Sequence, residues 1–238
     1  MVANAYQTKQ KSDFKAFFEV LPFILPCKYC RQSLAEYYEE DPLDLSNALA
    51  LQKWLYRIHN KVNDKLRNQG QSVLPNPTFK TVKKQYDEIL SLSCSEVDFP
   101  GWDFLFSIAE THPSSKLVRI SKPIPGSPEN PQSPEERNKW NLLSPDERIV
   151  YFKKFWITLP SIFPYRDWTT LWFQGSLEDR RSTIKWLWKL RSHMCKKLNQ
   201  KNKHTFEGLC NTLKNQRSGC GVSNRGKTCR KKRRQSIG

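Results

Sequence analysis

The feature that most constrains the fold is a repeat. Leu21-Pro22-Phe23-Ile24-Leu25-Pro26 aligns without gaps on Leu159-Pro160-Ser161-Ile162-Phe163-Pro164, 138 residues further on. At the same offset Phe14, Phe17 and Phe18 fall on Phe152, Phe155 and Trp156. Later in each copy Trp54-Leu55-Tyr56-Arg57-Ile58 corresponds to Trp186-Leu187-Trp188-Lys189-Leu190, and Thr78-Phe79 to Thr205-Phe206. Large apolar side chains that recur in one order imply one packing solution used twice.

That solution reads as helical. Phe14, Phe17, Phe18 and Leu21 are spaced along one helix face, and Pro22 marks a turn or kink. A second helix is expected from Pro26-Cys27 through Leu34, Tyr37 and Tyr38 to the acidic turn Glu39-Glu40-Asp41-Pro42. From Ser46 a long amphipathic helix places Ala50, Trp54, Ile58 and Val62 toward the core. Asn76-Pro77-Thr78 caps a helix carrying Phe79, Val82, Tyr86 and Leu90. Trp102, Leu105, Phe106 and Ala109 continue the pattern between Gly101 and Pro113. It returns at Asp146 with Tyr151, Phe152, Phe155, Trp156 and Leu159, and again from Leu177 to Leu198. Ile120 to Ser144 is rich in Pro, Ser, Asn and Glu and is expected to be an exposed loop. Strand signals are weak, so the fold class is all-α. The expected domains are residues 1–98, residues 99–216 as a degenerate copy with an insertion near 120–145, and a basic, disordered tail over 217–238.

The formal charge of +17 is unevenly placed: residues 1–100 hold 13 Lys/Arg against 12 Asp/Glu. The excess therefore lies in the second half and the tail, which calls for an anionic partner such as nucleic acid. Arg225 to Arg234 has basic residues without interleaved aromatic ones, which suits affinity or nuclear targeting rather than base readout. No apolar run approaches the roughly 20 residues of a membrane span, and no signal-peptide core opens the chain, so a soluble protein is expected. Seven cysteines, an odd number, do not suit a secreted disulfide framework.

Cys27-Lys28-Tyr29-Cys30 is compatible with a redox dithiol, half of a zinc site or two buried thiols. A helix N-terminus at Cys27, with Lys28 and Arg31 beside it, favours the thiolate and hence redox chemistry. Zinc needs two further soft ligands, and neither a second CxxC nor an HxxxH is present, so no metal site is expected. On the helix of Trp54, the residues Tyr56, His59, Asn60, Asn63 and Arg67 share a face. They form either a solvated surface or a stripe able to stack and hydrogen-bond a flat heteroaromatic ligand. The repeat separates these residues from the scaffold. Cys27 and Cys30 correspond to Tyr165 and Trp168, and His59, Asn60 and Asn63 to Arg191, Ser192 and Cys195, so the polar set is not needed for the fold.

Pro26 to Cys30, followed by Trp54 and His59-Asn60-Lys61-Val62-Asn63 with Leu66 beyond, closely resembles the flavin-linked sulfhydryl oxidases of the Erv/ALR type, particularly those of large DNA viruses. The resemblance covers about residues 3 to 92. It implies a four- or five-helix bundle around non-covalent FAD, dithiol protein substrates, and oxygen as acceptor with peroxide as product. It also implies residence in host cytoplasm or virion. By the same resemblance Cys30 lies beside the flavin and Cys27 exchanges with the incoming dithiol. His59, Asn60 and Asn63 contact FAD, and Trp54, Tyr56, Val62, Lys65 and Leu66 line its site. The family's first helix carries Trp and His residues that touch FAD, whereas Ala3 to Tyr6 resembles only its last turn, so a truncated first helix is expected. Trp102 to Phe106 resembles that helix at the start of the second copy. Cys220 and Cys229 are candidates for a mobile shuttle pair, and Cys94 has no evident mate. Because members pair as homodimers, the expected assemblies are a dimer or an intramolecular pseudo-dimer.

Overall fold

A computed structural model describes residues 1–119, 121–201 and 205–219. After a 3-10 turn at Val2–Ala5, α1 (Lys11–Ile24) buries Phe14, Phe17, Phe18, Val20, Phe23 and Ile24. Pro22 lies inside its last turn and cannot donate to the carbonyl of Phe18. The hydroxyl of Tyr38, on α2 (Lys28–Glu40), donates to that carbonyl instead, at 3.0 Å. The proline is thereby accommodated, and the same bond ties α2 to α1.

The long helix α3 (Ala48–Asn68) starts at Asn47, whose Oδ1 accepts the Ala50 N–H at 2.9 Å. Its core face is Leu51, Trp54 and Ile58. Val62, expected on that face, is 38% exposed. Residues four apart advance about 40° round a helix, so a strict every-fourth pattern from Ala50 to Val62 winds about 120° away from any fixed neighbour. α4 (Phe79–Ser91) is capped by Thr78, whose Oγ1 accepts the Thr81 N–H at 3.2 Å. Among the described residues none on α4 is fully buried; Phe79, Val82 and Tyr86 are half-buried against α3.

The second half comprises α5 (Trp102–Glu110), the short α6 (Lys116–Arg119), α7 (Pro134–Lys139), α8 (Pro145–Thr158), α9 (Arg166–Thr170), α10 (Arg180–Lys197) and α11 (Phe206–Gly219). No strand occurs among the described residues. A capping box fixes the start of α8, with Ser144 and Glu147 each accepting the other's backbone N–H. α5 packs on α10 and α11, within the second half. α11 continues through Arg217 to Gly219, past the expected start of the tail. The rest of that tail, with Cys220, Cys229 and Arg225 to Arg234, lies outside the described residues.

The two halves meet along α1 and α8, the helices that the repeat equates. Phe17 contacts its own equivalent, Phe155, with ring centroids 5.5 Å apart, and Phe23 stacks on Tyr151 at 3.8 Å and 8°. One continuous core runs from Phe14 and Trp54 through Phe155 and Trp156 to Leu187 and Leu190. The segment expected as an exposed loop also contributes: Ile124, Asn138, Asn141 and Leu143 are buried, and α7 packs on α2 and α1. Its attachment is largely polar, as in the bond from Asn138 Nδ2 to the Pro22 carbonyl at 2.9 Å. A hydrophobicity pattern cannot reveal an element docked through amides.

Candidate functional site

Leu25 ends α1, and Cys27 caps α2 in extended geometry (φ −100°, ψ 128°). The Cys27 carbonyl accepts the N–H groups of Cys30 and Arg31, each at 3.0 Å. This first turn brings the two thiols of the CxxC together. The Cys27 thiol is lowered to about 6, first by a hydrogen bond from the Cys30 side chain, with further help from the Cys30 and Tyr29 backbone and the Arg31 charge, against the opposing effect of burial. At pH 7 about nine-tenths of such a thiol is thiolate, the nucleophilic form.

Arg31, the next residue, is buried. Its two terminal nitrogens donate to the Leu25 carbonyl at 2.7 Å and to Asn141 Oδ1 at 2.6 Å. Lys28 Nζ donates to the Lys122 carbonyl at 2.7 Å, so the segment after α6 is held against the start of α2.

A cavity of about 280 Å³ opens between α3, α4 and the N-terminal turn. Tyr56, His59, Asn60 and Asn63 form its α3 wall, and Phe79 and Tyr86 part of its α4 wall. Tyr56 is fixed by its hydroxyl on the Pro77 carbonyl (2.8 Å) and by its ring against Phe79 (5.5 Å between centroids). Asn63 Nδ2 donates to Asn76 Oδ1 at 2.9 Å. Desolvation lowers the His59 imidazole below its ordinary value, although the residue is exposed. The shift favours the neutral form, which offers a stacking face and one acceptor nitrogen. Gln52, absent from the sequence reading, lines the same cavity. Its Oε1 is buried and has no hydrogen-bond partner among the described residues. Its position seven residues before His59, two turns along the helix, is the sequence signal that would have found it.

The remaining expected residues lie elsewhere on the helix. Trp54 is a core residue, with its indole N–H on the Asp41 carbonyl (2.9 Å) and its ring edge-on to Phe18 and Tyr38. Val62 is exposed, Leu66 is half-buried, Lys65 donates to the Ser33 hydroxyl of α2, and Arg67 pairs with Asp64. The cavity wall thus gathers Tyr56, His59, Asn60 and Asn63. It does not include Cys27, Cys30, Trp54, Val62, Lys65 or Leu66.

The positions of the second half that the sequence repeat aligns with these are packed. Tyr165 caps α9 as Cys27 caps α2, and its ring meets the buried Trp168 at 4.6 Å. Arg191 is buried with its guanidinium 5.7 Å from the Trp102 ring. Cys94 and Cys195 are buried thiols near the same residue: Gln200 Nε2 donates to the Cys94 carbonyl (2.7 Å), and Gln200 N–H to the Cys195 carbonyl (2.8 Å).

Comparison with known proteins bears on the first half. The Erv1/Alr family model matches residues 1–87. The chain is 34% identical over 59 residues to the mitochondrial FAD-linked sulfhydryl oxidase ERV1 of Saccharomyces cerevisiae, covering 25% of this chain and 31% of that relative. It is 30% identical over 98 residues to the FAD-linked sulfhydryl oxidase of African swine fever virus, covering 40% of this chain and 79% of the viral protein. The chain thus spans about a third of the yeast relative and about four-fifths of the viral one. No solved structure matches it.

Proposed function

The chain belongs to the Erv1/Alr family, and on that premise we propose that it is a flavin-linked thiol oxidase in which Cys27 and Cys30 are the redox pair. The observation that carries this reading is the Cys27 thiol at the start of α2, lowered to about 6 by its partner thiol and the local backbone. In the oxidised pair, a substrate thiolate attacks Cys27 Sγ. The Cys27–Cys30 bond breaks, a mixed disulfide forms, and Cys30 departs with the electron pair. The second substrate thiolate then attacks its own mixed-disulfide sulfur. The low-pKa Cys27 is the better leaving group in that step, and the substrate departs as a disulfide.

The residues of the cavity fit FAD. Tyr56 and His59 offer flat faces, Asn60 and Asn63 offer amides, and the buried Gln52 Oε1 lacks the N–H donor that a flavin or adenine edge carries. When bound, FAD supplies a two-electron acceptor for the dithiol and the route to oxygen, with peroxide as product. Trp54 and Lys65 hold α3 on α1 and α2, while Val62 and Leu66 extend the helix's apolar surface beside the site. Purified protein is expected to be yellow and to consume oxygen with dithiothreitol. Cys30→Ser should abolish turnover while keeping the colour, and His59→Ala with Asn63→Ala should lower flavin content about tenfold. A folded preparation with no flavin absorbance even after added FAD would refute the assignment.

The second half is proposed to stand where a second subunit would. The support is the contact of Phe17 with its own equivalent, Phe155, since like residues meet across a two-fold interface.

A further inference from the structure

Two guanidiniums share one acceptor beside the dithiol. Arg31 of α2 and Arg148 of α8 both donate to Asn141 Oδ1, at 2.6 and 3.1 Å. Arg148 also donates to Asn138 Oδ1 at 3.1 Å. Asn141 is aimed by its own amide: Nδ2 donates to the Lys122 carbonyl at 2.9 Å, which leaves the oxygen toward the arginines. The residue stands at φ 60°, a left-handed conformation that asparagine tolerates better than most side chains. Arg31 and Arg148 are 8% and 6% exposed, and Arg31 Nε is a buried donor with no partner among the described residues.

Burying like charges side by side is costly unless an anion compensates them. Among the described residues neither guanidinium has a carboxylate partner. The acids nearby are engaged elsewhere: Glu147 is held by both terminal nitrogens of Arg137, and Glu39 by Lys139. Lys28, on the same turn as the dithiol, is drawn to the Lys122 carbonyl. Glu147 still acts on Arg148 and raises it, so it is Arg31, in the first turn of α2, whose candidate anion is sulfur. Burial, and after it repulsion by Arg148, lowers the Arg31 guanidinium to about 9, and the two thiols of the CxxC act on it in the opposite direction.

We propose that buried Arg31, held on Asn141 beside Arg148, is the counter-cation of the Cys27 thiolate, so that Asn141 and Arg148 are positioning residues supplied by the second half of the chain. Arg31 stabilises the reduced form. When the disulfide takes two electrons from a substrate dithiol and binds one proton, Cys30 ends as a thiol and Cys27 as the anion beside Arg31. Reoxidation removes that anion and leaves the cation uncompensated, so Arg31 makes the disulfide a stronger oxidant.

This inference rests on the reading of Cys27 and Cys30 as the redox pair, but its test needs neither flavin nor oxygen. In the reduced full-length protein, the rate of Cys27 alkylation by iodoacetamide is followed against pH by peptide mapping. The dithiol–disulfide equilibrium with glutathione is measured alongside. Arg31→Gln should raise the Cys27 pKa by about one unit, leave about tenfold less thiolate below that pKa, and shift the glutathione equilibrium about tenfold toward disulfide. Arg31→Lys keeps the charge and should restore both. Gln in place of an uncompensated cation lowers the cost of burial, so the variant is expected to fold, and melting curves check it. Arg148→Gln and Arg148→Lys form a second pair with a smaller shift in the same direction, because Arg148 acts through the placement of Asn141 and Arg31. The proposal is overturned if folded Gln variants keep the wild-type profile, or if Lys and Gln at either position shift it equally, as a purely structural role requires. Flavin absorbance and oxygen uptake report on the oxidase reading separately.

Discussion

The lowered Cys27 thiol makes the reduced protein's stability depend on pH in a definite window. Its folded value is about 6 against 9.0 for the unperturbed thiol. Between those values the unfolded chain binds the proton that the folded chain has released, so stability rises with pH. The contribution is absent below pH 6, grows by about 1.4 kcal/mol per pH unit, and is complete above pH 9. Three units correspond to about 4 kcal/mol at most, and partial exposure of the pair reduces this to about 2–3 kcal/mol. Cys94 acts the other way at higher pH. Burial pushes its thiol up to about 11, so between about 9 and 11 ionisation of the unfolded chain erodes stability. Urea denaturation of reduced wild type and reduced Cys27→Ser at pH 5.5, 7 and 8.5, about the window just derived, separates the two because Cys94 is common to both. The wild-type advantage should widen steadily across the series, and its pH dependence should vanish when the wild type is oxidised. A gap independent of pH would refute the reasoning.

Two further outcomes test the architecture. Tyr38→Phe removes the donor that, among the described residues, reaches the Phe18 carbonyl from outside the helix, where Pro22 can supply none. It should cost about 1–2 kcal/mol and lower Tm by about 2–6 °C in a thermal melt. If the second half takes the place of a second subunit, the chain sediments as a monomer at micromolar concentration, and a dimer formed through the first half would contradict that arrangement.

Much of this was legible in the sequence because it rests on spacing. The Phe14–Phe18 cluster, the Thr78 cap, the Cys27 cap and the gathering of Tyr56, His59, Asn60 and Asn63 all follow from helical period and capping chemistry. The strict every-fourth reading placed Val62 inward because it ignored the drift of such a stripe round the helix. The docking of residues 121–144 was not legible, for a different reason. Asn138 and Asn141 are buried to satisfy carbonyls and guanidiniums, and a polar composition reads as exposure. Nor does spacing within one helix specify its neighbours, so Tyr56 to Asn63 came to one cavity while Cys27 and Cys30 did not line it.

The contact of α1 with α8 has one more consequence. Arg148 is the repeat equivalent of Gln10, and the two play unlike parts: Gln10 Nε2 donates to the Ser161 carbonyl (3.1 Å), while Arg148 reaches Asn141 beside the dithiol. In an assembly of identical chains any substitution appears on both sides of the axis at once, so an arginine could not be placed at one of these positions without its twin. Joining the two units in one chain removes that constraint. One copy can keep the thiols and the other can specialise as their electrostatic environment.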